Sequence, residues 1–372
     1  MAQEPLQAIP RLTPLLRVLD LLARGVTPAT PRSVDLGAAA GCVLASDVMG
    51  SMRPSAPLAL MDGWAVMAEA TLDAGSYAPA LLATVPSRVE VGQAMPPGTD
   101  SVAPLDAVQV ESGRAAVLSP ISPGDGVLPA GGDCMPAPPL RLAGARLRRT
   151  DLAAFAAVGV TRLAIRQPRL RVVPLRLNSM GLAAAHLIAG DIERRGGVAR
   201  LDENGDLSVA MVTENVDGFV ALGGTGIGRR DTSVATLRRD GKLAVHGVAL
   251  TPGETVAFGF SGRRPVLLLP GRLDAALAAW LTIGRRMLGH LAGADIAKLE
   301  DAPPSLPLAR KVTSTVGLAE VVPVRRVGDK VEPIAHKYLP LSALTHAEGW
   351  ILVPAESEGY SAGAYVSVWP LP

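Results

Sequence analysis

The chain has 372 residues, more than one compact core takes, so two to four domains are expected. Apolar residues make up 48% and aromatics only 3%, so the cores must be built from Ala, Leu and Val. Lys and Arg total 36 against 34 Asp and Glu, a balance that argues against a nucleic-acid partner held by net charge.

With 32 Pro and 39 Gly, many turns and short strands are expected, not a helical bundle. Cys42 and Cys134 lie far apart, fit no metal spacing and read as free thiols of a cytoplasmic chain. The five histidines form no zinc-binding pair. The opening Met1 to Pro5 lacks the basic and apolar runs of a signal peptide. No apolar run reaches the roughly 18 residues of a membrane span, so no membrane partner is expected.

In chain order, Leu12, Leu15, Leu16, Leu19 and Leu22 predict an amphipathic helix over 9–23, stopped at Gly25. Residues 43–49 read as a strand. From Ser51 to about Pro139 short β-like runs (85–91, 101–110, 115–118) among Pro and Gly predict a small β-rich domain. Thr150 reads as the cap of a helix over 151–158 that Gly159 ends. A strand over 170–177, a helix over 180–195 capped by Asn178 and Ser179, and an apolar run over 216–222 follow. Then come a glycine loop, a helix over 232–239, strands over 243–250, 255–260 and 265–269, and a helix over 273–291. This alternation predicts an α/β domain with a mostly parallel sheet. The stretch from Ala302 to Pro307 reads as a proline-rich linker. Beyond it, 319–327, 349–354 and 364–369 read as strands of a small β domain.

The strongest chemical candidate is the loop Gly223, Gly224, Thr225, Gly226, Ile227, Gly228. It follows a buried strand and precedes a helix, where successive backbone N–H groups can converge on an oxyanion and Thr225 can add a hydroxyl. Its spacing is neither the dinucleotide fingerprint nor the P-loop, and a plain turn fits it equally. Asp231 reads as a helix N-cap or as a carboxylate beside a phosphate, an arrangement that needs a bridging divalent cation. Asp62-Gly63 between apolar runs signals a hairpin. Pro270-Gly271 ends a strand and reads as a second loop at the same sheet edge, with Pro252-Gly253 as a third. Arg229, Arg230, Arg263, Arg264 and Arg272 would place guanidinium groups near that edge.

In this order the pieces resemble the molybdopterin molybdenumtransferases, the group of bacterial MoeA and the gephyrin E domain. The similarity is carried by Pro54 to Val66, by Gly92 to Val102, by the glycine loop through Asp231, by His246 to Gly253, by Leu269 to Gly271, by Ala347 to Pro354 and by Ala362 to Val366. The resemblance implies a chain of α/β plus β class with four parts: a discontinuous elongated domain from 1–50 and 141–168, an inserted β-rich domain over 51–140, an α/β molybdopterin-binding domain over 169–302 and a C-terminal β-barrel over 303–372. It implies a cytoplasmic homodimer and insertion of molybdate into adenylylated molybdopterin, helped by Mg2+. By position, Gly223, Gly224, Thr225, Gly226 and Gly228 would cradle the pterin phosphate. Asn178 and Ser179 would form a polar turn, and Pro270 and Gly271 would line the molybdate side. Asp62, Asp133 and Asp231 would be the catalytic carboxylates, with Asp231 and Asp62 holding the metal.

The chain departs from the family pattern at several places. The acidic run expected after the first α/β strand is missing before Asn178. Two expected lysines are Thr251 and Glu254, Arg272 and Leu273 replace Asn and Pro, Val91 replaces a threonine, and Leu318 replaces an arginine. Two readings follow: a molybdate-inserting enzyme with a rebuilt anion site, or a non-catalytic paralogue that carries molybdopterin to a client molybdoenzyme. A third is an unrelated sugar-phosphate or nucleotide enzyme on an α/β scaffold.

Overall fold

The computed structural model describes residues 7–202, 204–295 and 303–372. The opening Met1 to Pro5 and Ala302, where the linker begins, lie outside the described residues. Two compact units are formed. One comprises Met1–Ser46, Ala143–Ala153 and Thr161–Pro372, the other Asp47–Leu142 and Ala154–Val160.

The first unit is organised by a six-stranded sheet. Val198–Leu201, Arg169–Pro174, Gly218–Leu222 and Arg264–Leu269 run parallel in that spatial order, and Ala257–Ser261 and Lys242–His246 complete it antiparallel. The two-residue side-chain period sends alternate positions to opposite faces. Leu170, Val172, Val220, Leu222, Leu267 and Leu269 bury on one face against Ala184, Ala185, Ile188 and Ile192 of the helix Ser179–Arg194. Val173, Phe219, Ala221, Val266 and Leu268 bury on the other against Leu207, Met211, Val234 and Leu237. Covered on both sides, the central strands read as continuous apolar runs. Each fully buried side chain contributes roughly 1.5–3 kcal/mol, enough to make the sheet a rigid platform for the loops at its edge.

The long helix forms as Leu273–Ala279 and Arg285–Leu291, joined through a π-helical turn over Trp280–Gly284. A buried ion pair pins it to the helix Ser179–Arg194. Asp191 accepts from Arg285 Nε at 2.9 Å and Nη2 at 3.1 Å, and from Trp280 Nε1 at 2.7 Å. Burial alone would raise the Asp191 carboxyl, but Arg285, Arg195 and the Trp280 hydrogen bond together outweigh it and hold the group below the ordinary carboxylate value.

Several expectations are corrected. The first helix begins at Leu15, not Ile9. Pro14 inside it would lose a hydrogen bond and clash with the preceding turn, and Thr13–Pro14 instead pair in parallel with Val248–Ala249. The strand expected over 243–250 is two strands in two sheets, broken at Gly247, whose φ is +89°. Thr150 lies inside the helix Arg149–Ala157, and the Asp151 carboxylate takes the Arg148 N–H at 2.8 Å. The strand Val198–Leu201 and the helices Leu207–Met211 and Leu341–His346 were not expected.

The strands Arg32–Asp35 and Val43–Leu44 both pair with Arg162–Arg166, joining the N-terminal and returning segments in one small sheet. Residues 305–372 do not close into a barrel among the described residues. Ala319–Val327 pairs with Gly349–Val353 and Lys330–Pro333, and through Val248–Thr251 extends an open sheet. Ser305–Pro307 pairs with Tyr365–Ser367, and Val312–Thr313 with Gly359–Tyr360, as separate two-stranded ribbons. Pro307 and Pro333 lack the N–H that further pairing would need. Among the described residues no helix is long and apolar enough to cross a membrane.

The second unit holds only short strands. Gly63–Val66 pairs with Ser87–Val89 and Ser101–Ala103, Arg114–Val117 with Ala80–Leu82 and Val108–Glu111, and Leu58–Ala59 with Val127–Leu128. The hairpin read at Asp62-Gly63 is thus overturned, because the strands on either side of it pair elsewhere. Gly63 is required by packing: an added Cβ would overlap the Ala103 carbonyl. Cys42 and Cys134 are both buried free thiols.

Candidate functional site

The parallel strands Arg169–Pro174, Gly218–Leu222 and Arg264–Leu269 end at one sheet edge, where α/β sheets bind ligands. The Gly223 N–H donates to the Leu269 carbonyl at 2.8 Å, which sets the glycine loop against Pro270-Gly271. A cavity of about 520 Å³ opens there. Gly223, Gly224, Thr225, Gly226, Asp231, Asn178, Pro270 and Gly271 line it, with Arg176, Thr255, Arg272, Asp274 and Tyr338. Ser179, Gly228, Asp62 and Asp133 do not. A second, polar cavity of about 610 Å³ shares Arg176 and Gly224 and is lined also by Ser208, Arg230, Thr232 and Arg239.

The loop's backbone is held in a defined sense. Gln7 Nε2 donates to the carbonyls of Gly224 at 3.0 Å and Gly226 at 2.9 Å. His246 Nε2 lies 2.9 Å from the Thr225 carbonyl; a carbonyl only accepts, so Nε2 carries the proton. Three successive carbonyls are therefore engaged by Gln7 and His246, neither of which lines the cavity. The trans peptide sets each N–H opposite the preceding carbonyl, so the amides of Thr225, Gly226 and Ile227 point away from these partners. Gly223 and Gly224 have φ of +102° and +71°, values that side chains disfavour. Beside Gly224 the buried Ser233 hydroxyl has no hydrogen-bond partner among the described residues.

One expected role changes. Asp231 is not the helix cap, since the following helix is Ser233–Asp240 with Thr232 before it. Instead Asp231 Oδ2 accepts the Gly228 N–H at 3.0 Å, and Oδ1 faces Arg176 Nη2 at 3.4 Å. The Thr225 hydroxyl, read as a donor to the ligand, is buried and bonded to the Thr255 hydroxyl at 2.8 Å. Asn178 does cap its helix, accepting from the Gly181 N–H at 2.8 Å, and Ser179 is the first helical residue. In the second unit, Asp62 is exposed and accepts from the Val91 N–H at 2.9 Å. Asp133 is exposed, its N–H bonded to the Arg53 carbonyl.

The arginines divide. Arg264 begins its strand, roughly 17 Å of extended chain from the binding edge. It donates to the Thr213 and Met211 carbonyls and lies over the Phe219 ring, so it is not at the site, and Arg263 precedes it. Pro252-Gly253 likewise belongs to the other sheet, following Val248–Thr251. Arg272 does line the cavity. Asp274 holds it at 3.1 Å and 2.5 Å, and Tyr338 lies beneath it. The Asp274 carboxylate pushes the Arg272 guanidinium above its ordinary value, and Glu254 adds to this. One exposed guanidinium facing two carboxylates leaves this side without a cationic surplus.

Among the described residues no three His, Cys, Asp or Glu side chains gather as metal ligands. Asp231, with one oxygen on a backbone N–H and the other toward Arg176, does not fit as a Mg2+ ligand in this arrangement. No metal-dependent step is derived.

Three family models match the chain in succession: the MoeA N-terminal region over residues 6–159, a probable molybdopterin binding domain over 197–290 and the MoeA C-terminal region over 305–371. The chain belongs to the MoeA family. It is 27% identical to a molybdopterin molybdenumtransferase of Synechococcus elongatus, over 99% of this chain and 95% of that one. A Methanocaldococcus jannaschii protein named for molybdopterin biosynthesis is 24% identical, over 91% and 92%. The crystal structure of a molybdopterin biosynthesis MoeA protein from Pyrococcus horikoshii OT3 superposes with a TM-score of 0.79 at 22% identity, covering 96% of this chain and 99% of that one. It shares the MoeA-like fold.

Sequence reasoning missed Gln7, Arg176, His246, Thr255 and Tyr338 as builders of the site. His246 and Thr255 flank the Pro252-Gly253 motif, which was a usable signal. Gln7 lies 217 residues before Gly224 and carried none.

Proposed function

We propose that the chain acts in molybdenum-cofactor biosynthesis by binding a phosphorylated pterin in the cavity at the glycine loop. The supporting observation is the set of three loop carbonyls held by Gln7 and His246, which points successive amides away from those partners, as an oxyanion nest requires. The adjoining polar cavity, with Arg176, Arg230 and Arg239, suits the second half of a two-part anionic ligand such as adenylylated molybdopterin. The reaction is insertion of molybdate with release of AMP. Gly223, Gly224, Gly226 and Gly228 set the backbone of the cradle, while Pro270 and Gly271 bound the side that receives molybdate. Asp62 and Asp133 are kept as proposed catalytic carboxylates on their family positions alone, in a chain of four parts that forms a homodimer as the resemblance implies.

A second reading is a carrier that binds molybdopterin for a client enzyme without inserting metal. The neutralised Arg272 supports it, because molybdate is a dianion and this side of the cavity presents Asp274 beside one guanidinium, with Glu254 near enough to act on that guanidinium. An insertion assay with adenylylated molybdopterin, molybdate and Mg2+ separates the two. Turnover with AMP release supports the enzyme. Retained pterin binding without turnover supports the carrier, and no pterin binding removes both.

A further inference from the structure

We infer that Gln7 is the positioning residue of the phosphate cradle, so that the N-terminal segment, through one side chain, sets the oxyanion affinity of a loop more than two hundred residues away. The inference rests on the glycine loop being a phosphate cradle. Gln7 is only 7% exposed, and its whole amide is used. Nε2 donates to the carbonyls of Gly224 and Gly226, and Oε1 accepts the Ala235 N–H at 2.9 Å. One planar group thus locks two alternate loop peptides and the first turn of the helix Ser233–Asp240 in a fixed relation. No other residue type does this at equal length: glutamate could keep the Ala235 bond but would set a carboxylate against two carbonyls, and methionine would keep the volume and lose all three bonds.

The segment carrying Gln7 is itself anchored. Thr13 N–H donates to the Gly247 carbonyl at 2.9 Å, and Thr13–Pro14 pair with Val248–Ala249. A Cβ at Gly247 would overlap Ile9, so that glycine admits the segment. Without the Gln7 donors, the Gly226 carbonyl loses its partner and the Gly224 carbonyl keeps only the Ser233 N–H at 3.2 Å, so the Gly226 peptide can rotate, because glycine permits either sense. A rotated peptide presents a carbonyl to the anion where it presented an N–H.

Gln7 does not itself line the cavity and reaches it only through Gly224 and Gly226, so its effect is on the phosphate and not on the pterin ring. The test is the ratio of affinities for molybdopterin and for the same pterin after phosphatase treatment, measured by fluorescence titration on the full chain and on Gln7→Met and Gln7→Glu. The expected result is a wild-type preference for the phosphorylated form that falls about tenfold or more in both variants, equivalent to losing a charge-assisted hydrogen bond. Affinity for the dephosphorylated form stays unchanged. If Gln7→Met fails to fold, Gln7→Glu, which keeps the Ala235 bond, decides. A ratio unchanged in the variants overturns the inference, as does an equal loss for both pterins, which marks a merely structural role. A wild-type ratio of one overturns the cradle reading itself and the inference with it.

Discussion

Substituting Gly226 with aspartate perturbs the site at one point. Gly226 is half-buried on the cavity wall, and its backbone is outside the left-handed region, so a side chain there costs nothing in φ. A Cβ would lie 2.7 Å from Asp231 Oδ2, the end of a side chain that can move. The methylene alone should therefore be tolerated, and the new charge is what matters. Two carboxylates about 4 Å apart repel by about 4 kcal/mol at an effective dielectric near 20. Partial exposure reduces this to about 1–2 kcal/mol. A phosphate approaching the same amides meets the added charge at a similar cost, so the affinity for molybdopterin should fall about five- to thirtyfold. The stability should fall by no more than that same repulsion against Asp231, about 1–2 kcal/mol. Fluorescence titration of Gly226→Asp, with Gly226→Asn as the neutral control, reads the effect. The asparagine variant should bind about tenfold more tightly than the aspartate variant, with the gap narrowing in salt. Equal affinity of wild type and Gly226→Asp would refute the reasoning and reduce the loop to a turn.

Other substitutions test separate parts of the account. Asp191→Asn breaks the buried pair with Arg285 and should cost about 3–5 kcal/mol in urea unfolding. The wild-type pair contributes fully above the unfolded carboxyl value near pH 4 and is lost as pH falls through the lowered folded value, so the variant should lose less stability than wild type as the pH falls below about 4. Glu254→Lys removes a negative charge facing Arg272 and should raise molybdate affinity several-fold at low salt by calorimetric titration; no change would mean that molybdate does not approach this side. Asp62→Ala breaks one exposed hydrogen bond to the Val91 N–H and should cost no more than about 1 kcal/mol of stability. In an insertion assay it should lose much more activity than that; a large fall in melting temperature with unchanged turnover would assign it a structural role.

The α/β sheet was legible because its strands are covered on both faces and so appear as unbroken apolar runs, as in Val266 to Leu269. Helices with caps were legible too: Asn178 marks its helix through an oxygen that local sequence reveals. Pairings between distant segments were not. Nothing in Thr13–Pro14 announces a parallel partner at Val248, and the single apolar run over 243–250 hides a change of sheet at Gly247. Asp62-Gly63 misled because its flanking residues match a hairpin pattern while their backbone partners lie far on, Val89 opposite Gly63 and Val127 opposite Ala59. The glycine loop itself was visible. The sense of its peptides was not, since Gln7 and His246, which fix it, are far from it in sequence.

The central claim is tested most directly by titrating adenylylated molybdopterin into the purified full-length chain and following pterin fluorescence. The account predicts saturable one-to-one binding that inorganic pyrophosphate competes away and that Gly226→Asp weakens without unfolding the protein. Absence of saturable binding by a folded chain, or binding that ignores both pyrophosphate and the Gly226 charge, would contradict it.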